Sequence, residues 1–173
     1  KDVSALETGK LDILYSLAEN MENLSEKPTP APETQFHLPL VSVIVISYNQ
    51  EKFIADSLLG IFAQRGDFRV ELVISDDASQ DSTGEIIQNY VRSFGELVTV
   101  KIISSDHNVG MTRNFQRSLA ACTGDFIAVC EGDDYWVDPL KLQKQVRFLQ
   151  ANPDCAICFN SIYMYLQNTG GFS

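Results

Sequence analysis

The stretch VSVIVISYN, residues 41–49, decides the fold of this chain, because in it an apolar run ends on polar residues. The run at residues 41–46 is typical of a strand that is covered on both faces, as strands of parallel sheets are. Residues 51–64 follow with apolar side chains at helical spacing, which predicts a helix directly after the strand.

Three further strand and helix pairs repeat this pattern. Strands are predicted at residues 70–75, 98–104 and 126–130, helices at residues 82–94, 111–122 and 138–150, and a fifth strand at residues 155–165. A capping box at Ser82 to Glu85 and the pair Asp138-Pro139 mark two of the helix starts. Because parallel strands need right-handed crossovers, the repetition predicts an α/β fold, a mainly parallel sheet with helices on both faces, as in Rossmann-like proteins.

Residues 1–37 precede this domain, which we expect to occupy residues 38–173. Apolar side chains at Leu14, Leu17, Met21 and Leu24 form one helical stripe, and three prolines between residues 28 and 32 predict an extended linker. The helix is expected to pack back on the domain, and a short dimerising coil is the alternative. A homodimer therefore stays open.

Composition excludes several classes of protein. The 173 residues carry 23 acids against 13 bases, a net charge of -10, so nucleic acid is a poor candidate partner. The longest apolar run is far shorter than the ~20 residues of a membrane helix. We expect a cytoplasmic domain, with membrane association of the full-length protein left open. The four cysteines are interpreted as structural thiols, although Cys155 and Cys158 have the spacing of half a zinc site.

Polar residues follow each predicted strand, where ligands bind in sheets of this kind. Turn formation alone explains any single loop. Two of the loops together carry five carboxylates, and two charges about 4 Å apart repel by ~4 kcal/mol at an effective dielectric near 20. We therefore expect these acids to meet around Mg²⁺ or Mn²⁺, which in turn would hold a diphosphate. The five are Asp76, Asp77, Glu131, Asp133 and Asp134.

Other phosphate binders lack support in the sequence. Neither the glycine-rich dinucleotide fingerprint nor a P-loop follows the first strand. A phosphatase that forms an aspartyl-phosphate would need its nucleophile after the first strand, where Ser47, Tyr48 and Asn49 stand instead. A nucleotidyltransferase remains open, but its basic glycine-rich loop is missing.

Four motifs in order resemble the nucleotide-sugar-binding half of family 2 glycosyltransferases, which have the GT-A fold. The motifs are VSVIVISYNQEKFIADSLLGIFAQ, ELVISDDASQDST, NVGMTRN and TGDFIAVCEGDDYW with DPLKLQKQ, and they cover roughly residues 39–160. The resemblance implies a nucleotide-sugar donor and a saccharide or lipid-linked acceptor.

The resemblance also implies roles for single residues. Tyr48 is expected to stack on the uracil of a UDP-sugar, with Ser47 and Asn49 shaping its loop, while Asp77 reads the base edge beside Asp76. Glu131 and Asp133 resemble the family's Asp-x-Asp element, with Asp133 as the direct metal ligand, Glu131 near the ribose or metal, and Asp134 close by. The segment expected near the ribose and phosphates holds Asn108, Gly110, Arg113 and Asn114.

The implied reaction transfers a sugar from a nucleoside diphosphate to an acceptor hydroxyl with inversion. The family places the general base after the metal motif, and we find no candidate for it in this chain. We therefore expect the base beyond Ser173 and interpret the chain as a donor-binding fragment. The competing class is a non-catalytic nucleotide-sugar-binding or interaction module.

Overall fold

The computed structural model of the protein describes residues 37–94, 98–166 and 171–172. The predicted N-terminal helix and linker lie outside these residues, except for His37. The chain divides into two compact units, one up to Gln143 and one from Lys144 onward. The division falls within the last helix.

Strands and helices alternate as the sequence predicts. The elements are β1 (Leu40–Ser47), α1 (Ile54–Phe62), β2 (Arg69–Asp76), α2 (Thr83–Phe94), β3 (Thr99–Ser104), α3 (Met111–Ala121), β4 (Phe126–Val129) and α4 (Lys141–Ala151). The first helix begins three residues later than predicted, because residues 51–53 form a turn in which the amides of Phe53 and Ile54 both donate to the Gln50 carbonyl.

The four strands of the first unit form one parallel sheet in the order β3-β2-β1-β4. In this register Ser47 pairs with Asp76, and Asp76 pairs with Ser104. The carboxyl ends of three strands are therefore aligned, so the loops that follow them open on the same edge. The predicted α/β fold with a parallel sheet is confirmed.

Helices cover both faces of this sheet. Ser75 and Asp76 are neighbours in β2, so their side chains point to opposite faces. The Ser75 hydroxyl donates to the side-chain oxygen of Asn114 in α3, whereas the Asp76 carboxylate lies 3.8 Å from the position that a Cβ at Gly84 of α2 would take. The central strands are buried, with Ile44 and Leu72 fully inaccessible to solvent.

A buried ion pair joins the strands near their amino ends. Glu71 of β2 lies 2.6 Å from the Nζ of Lys101 in β3 and accepts a bond of 2.7 Å from the hydroxyl of Ser42 in β1. Thr123, just before β4, donates to it through both its amide and its hydroxyl, at 2.9 and 2.6 Å. Burial alone would raise the pKa of Glu71, but the bonds from Lys101, Thr123 and Ser42 outweigh it and lower that pKa to about 2.

The predicted fifth strand at residues 155–165 is wrong. In the second unit, the described pairing is a two-residue antiparallel ladder between Tyr165–Leu166 and Gly171–Phe172. Apolar residues predict a strand only where a neighbouring strand supplies backbone partners, and no described strand does so for residues 155–164. Phe159 and Ile162 are 88% and 81% exposed there.

No helix of the described part of the chain has both the length and the apolar character needed to cross a membrane. All four cysteines are free thiols, and only Cys130 is buried. Burial fits a structural role for Cys130, whereas Cys155 is exposed and its role stays a prediction.

Candidate functional site

The first and second loops at the carboxyl edge are joined by reciprocal hydrogen bonds. The amide of Asn49 donates to the Ser79 hydroxyl at 2.9 Å, and the Asn49 side-chain oxygen accepts from the Gln80 amide at 2.7 Å. Asn49 has a positive φ of 52°, a conformation that Asn tolerates better than most residues. Glu51 and Asp81 make a second crossed pair, since Glu51 N–H donates to Asp81 at 3.1 Å while the Glu51 carboxylate accepts from Ser82 N–H at 3.0 Å.

Asp76 belongs to this joint. Its carboxylate accepts a bond of 3.1 Å from the hydroxyl of Ser47, which is buried, and further bonds from the amide and hydroxyl of Ser79. Its contacts therefore hold the two loops together.

Asp77 is buried and orders the third loop. Its two oxygens accept from the amides of Val109 and Gly110 at 2.9 and 2.8 Å, and it is only 2% exposed. Asn108 also accepts from the Gly110 amide, at 2.9 Å. Gly110, at φ 87°, precedes α3. The start of a helix stabilises a negative charge, so Asp77 sits where a buried carboxylate is best tolerated.

Helix α3 connects this carboxylate to an open cleft. Arg117 lies 3.8 Å from Asp77 and donates to the buried Asn114 at 2.7 Å, while Asn114 itself donates to the Ser75 carbonyl at 2.9 Å. The exposed Arg113 lies one helical turn before Arg117. The two arginines line a cleft of about 400 Å³ together with Val109, Gln116 and Ala120.

The acidic loop after β4 is anchored through its backbone. The Gly132 amide donates to the Ile46 carbonyl at the end of β1, at 3.0 Å. A Cβ at Gly132 would lie 2.1 Å from the side-chain oxygen of Gln50 and 3.1 Å from Ile46 O, so a larger residue here would have to displace the Gln50 side chain and press on the end of β1. Ser57 of α1 donates to the carbonyls of Glu131, at 3.3 Å, and of Asp134.

The three carboxylates of this loop, Glu131, Asp133 and Asp134, are all exposed. Partial burial and the adjacent charge of Asp133 raise the pKa of Asp134. Burial, helped by the charge of Asp134, raises the pKa of the Cys130 thiol to about 12, so that thiol stays neutral and donates to the Asp134 carbonyl at 3.6 Å.

The expectation that five acids meet around one cation is wrong. Among the residues that the structure describes, no three His, Cys, Asp or Glu side chains form a group that would hold a metal ion. The reason is that the carboxylate oxygens of Asp76 and Asp77 accept hydrogen bonds between loops. Of the five acids, the three at residues 131–134 are exposed. That donor set still fits Mg²⁺ or Mn²⁺, since such ions are commonly held by one or two carboxylates plus substrate phosphates.

Two aromatic residues flank the acidic loop and differ in exposure. Tyr48 is 45% exposed on the first loop, whereas Trp136 is buried. The backbone of Trp136 lies against Gly60 of α1, and the Nζ of Lys141 stands 4.0 Å from the centre of its ring. Trp136 is thus a packing residue, whereas Tyr48, like Tyr135 next to the acidic loop, is exposed to a ligand.

Sequence reasoning missed the residues that position this site, above all Ser57, Ser79 and Arg117. Ser57 bonds to a residue 74 positions away and Ser79 to one 30 positions away, and Arg117 pairs with the distant Asp77, which no local pattern reveals. The signal that existed was Ser57, a polar residue on the buried face of an otherwise apolar helix.

Comparisons with known proteins agree with this geometry. Residues 42–170 match the model of a family described as glycosyl transferase family 2. The protein Rv1520 of Mycobacterium tuberculosis is 45% identical over 122 residues, which are 70% of this chain and 35% of that protein. The chain therefore spans about a third of the length of this relative.

Two solved structures share the fold. S. aureus TarS 1-349, in complex with UDP, has a TM-score of 0.57 at 27% identity over 65% of this chain and 32% of its own. The mannosyltransferase PcManGT from Pyrobaculum calidifontis, in complex with GDP-Man and Mn²⁺, has a TM-score of 0.60 at 24% identity over 84% of this chain and 42% of its own. At the latter identity the likeness speaks for the fold alone.

Proposed function

Because the chain belongs to glycosyl transferase family 2, we propose that the carboxyl edge of its sheet binds a UDP-sugar together with Mn²⁺ or Mg²⁺. The reaction is transfer of the sugar to an acceptor hydroxyl with inversion at the anomeric carbon. The acceptor is a saccharide or a lipid-linked saccharide.

The observation that carries this proposal is the bond between Gly132 and Ile46. It fixes the acidic loop to β1 at Ile46, two residues before Tyr48. An exposed ring and three exposed carboxylates, about 85 positions apart in sequence, are thereby attached to one strand end. A flat ring suits a nucleobase and oxygen ligands suit a metal-bound diphosphate, so one UDP-sugar would use both.

The nucleotide end of the donor is assigned to the joined first and second loops. Tyr48 stacks on the base, and Ser47 and Asn49 hold the loop that carries it. Asp76 keeps this loop in place through Ser47 and Ser79. Asp77 is assigned to the base end of the site, where it fixes the third loop through its two backbone bonds.

The diphosphate end is assigned to the acidic loop and the start of α3. Asp133 is the metal ligand, with Glu131 and Asp134 beside it, and Asn108, Gly110 and Arg113 lie toward the ribose and phosphates. A chain with a net charge of -10 repels an anionic donor, so affinity depends on the cation. TarS was solved with UDP, which supports a uridine nucleotide as the ligand.

In the transfer, the acceptor oxygen forms a bond to the anomeric carbon as the bond from that carbon to the diphosphate breaks. A bound cation supplies Lewis-acid stabilisation of the leaving diphosphate. The acceptor proton must pass to a general base, and we assign that role to none of the described residues. The groups of this chain bind and orient the donor.

Isothermal titration calorimetry with UDP, with and without Mn²⁺, tests the proposal. We expect binding that depends on Mn²⁺, and Asp133→Asn should weaken it by more than about 10-fold, because even outer partners of a metal site contribute that much. Asp125→Asn is the matched control, since Asp125 is an exposed acid at the opposite edge, where it accepts from the Leu40 amide.

Failure of the wild-type chain to bind UDP under either condition would contradict the proposal and favour the interaction module. Binding that ignores Mn²⁺ would contradict the metal assignment alone.

A further inference from the structure

A polar and small stripe on α1 runs along the segment that carries the acidic loop. Ser57 and Gly60 are three residues apart and lie on one face of α1, and Gln64 follows two residues after the helix ends at Phe62. All three meet residues 131–142, and each contact is to the backbone of that segment.

The contacts follow the segment in order. Ser57, which is fully buried, shares its one hydroxyl proton between the carbonyls of Asp134, which is the nearer, and Glu131, at the two ends of the acidic turn. A Cβ on Gly60 would lie 2.7 and 2.8 Å from the O and N of Trp136. Gln64 then donates to the Asp138 carbonyl at 2.9 Å and accepts from the Leu142 amide at 3.0 Å.

We propose that Ser57 is a positioning residue, whose hydroxyl holds the backbone of the acidic turn so that its carboxylates face the diphosphate and metal. The ligand named in this inference rests on the proposed function. The tether, by which we mean the hydrogen bonding of the Ser57 hydroxyl to the backbone of the acidic turn, does not. The contacts leave the carboxylates free, because α1 engages carbonyls and amides only. The backbone of a ligand-binding turn can thus be fixed while its carboxylates remain available to a ligand.

The tether matters because the turn has few other supports. The bond from the Asp134 amide to the Glu131 carbonyl closes the turn upon itself, and the bond from Gly132 to Ile46 attaches its middle. Without the Ser57 hydroxyl, the Asp134 carbonyl would lose a strong donor and keep the weak thiol bond from Cys130. The carboxylates would then sample more orientations before binding, which lowers affinity.

The test is the variant Ser57→Ala, matched with Ser118→Ala. Ser118 is also fully buried in a helix, but its hydroxyl donates to the Asn114 carbonyl within α3. Hydrogen exchange by NMR, on the chain without ligand, should show faster exchange of the Gly132 and Asp134 amides in Ser57→Ala and unchanged exchange in Ser118→Ala. Affinity for UDP with Mn²⁺ should fall by about 10-fold in Ser57→Ala only.

Gly60→Ala is a second variant, because its new methyl would push the Trp136 backbone away without removing a polar group. It should speed the same two amides, with thermal unfolding measured to identify loss of the fold. If Ser57→Ala leaves both amides and the affinity at wild-type values, the inference is wrong. If the wild type binds no UDP but the amides respond, the tether stands and the proposed function fails.

Discussion

At the scale of single residues, the buried carboxylates Asp77 and Glu71 serve structure, while the exposed acids of residues 131–134 are placed for a ligand. Asp77 and Glu71 are each 2% exposed, and each is surrounded by donors from other elements. Glu131 and Asp133 belong to the exposed set. The cost of burying an ionised group without partners explains this division.

The pH dependence of stability should report on Glu71. Its pKa is about 2 in the folded protein against an ordinary value of 4.5, so the unfolded chain takes up the proton first as the pH falls. The stabilisation is complete above pH 4.5 and is lost progressively down to about pH 2. Its size is about 3 kcal/mol, from about 1.4 kcal/mol for each pH unit between the two pKa values.

Urea denaturation at pH 7 and pH 3 measures this effect, with Glu71→Gln as the variant. Glu71→Gln should be less stable at pH 7 and lose less stability on acidification, because its side chain does not titrate. Asp106→Asn is the control, since Asp106 is exposed and its pKa is lowered by the adjacent His107. Parallel losses of stability in wild type and Glu71→Gln would show that the ion pair does not carry the effect.

At the scale of elements, close backbone approach decides where helices and loops meet. Gly124, just before β4, illustrates this at the amino edge of the sheet. A Cβ there would lie 2.7 Å from both the Leu40 carbonyl oxygen and the Ser42 nitrogen. Its amide also donates to the Ser42 hydroxyl, which joins it to the Glu71 cluster.

Gly124→Ala should therefore lower the free energy of unfolding by about 1 to 3 kcal/mol, as overpacking against atoms that cannot move does. Gly84→Ala is the matched substitution within α2, where the nearest atom to the new Cβ is 3.8 Å away. There the free energy of unfolding should stay the same or rise by up to about 1 kcal/mol, because alanine is the better helix former. Equal effects of the two substitutions on urea denaturation would contradict the packing argument.

At the scale of the whole molecule, the net charge of -10 repels an anionic ligand. The exposed acids would overcome this repulsion by binding a divalent cation, which in turn attracts the ligand. Binding should therefore depend on the divalent ion rather than on a basic surface. A ligand that binds only the folded state also raises its stability, which gives a global measurement of the site.

We expect UDP and Mn²⁺ together, at about 100 times the dissociation constant, to add about 2.7 kcal/mol to the free energy of unfolding. UDP alone should add much less. Thermal unfolding measures both, with ADP and Mn²⁺ as the control for the base. An equal shift with ADP would contradict the assignment of a uracil nucleotide, and no shift with any nucleotide would contradict the site.

The sequence by itself determined the strand and helix order, the parallel sheet and the edge at which polar loops gather. These follow from local apolar periodicity and from the geometry of crossovers, both of which are written in neighbouring residues. The apolar run at residues 41–46 and the loops after each strand were enough for this. The strand predicted at residues 155–165 failed because a strand also needs a partner, which no local pattern supplies.

Only the tertiary structure decided which carboxylates are exposed to a ligand and which are engaged in hydrogen bonds within the protein. Asp77 and Asp133 both follow a strand, yet one is buried under backbone amides of the third loop and the other is exposed. The difference depends on hydrogen bonds between residues more than 30 positions apart, as does the hold of Ser57 on the acidic turn. Such contacts exist only once the chain has folded, because burial is a property of the assembled elements and not of the residue.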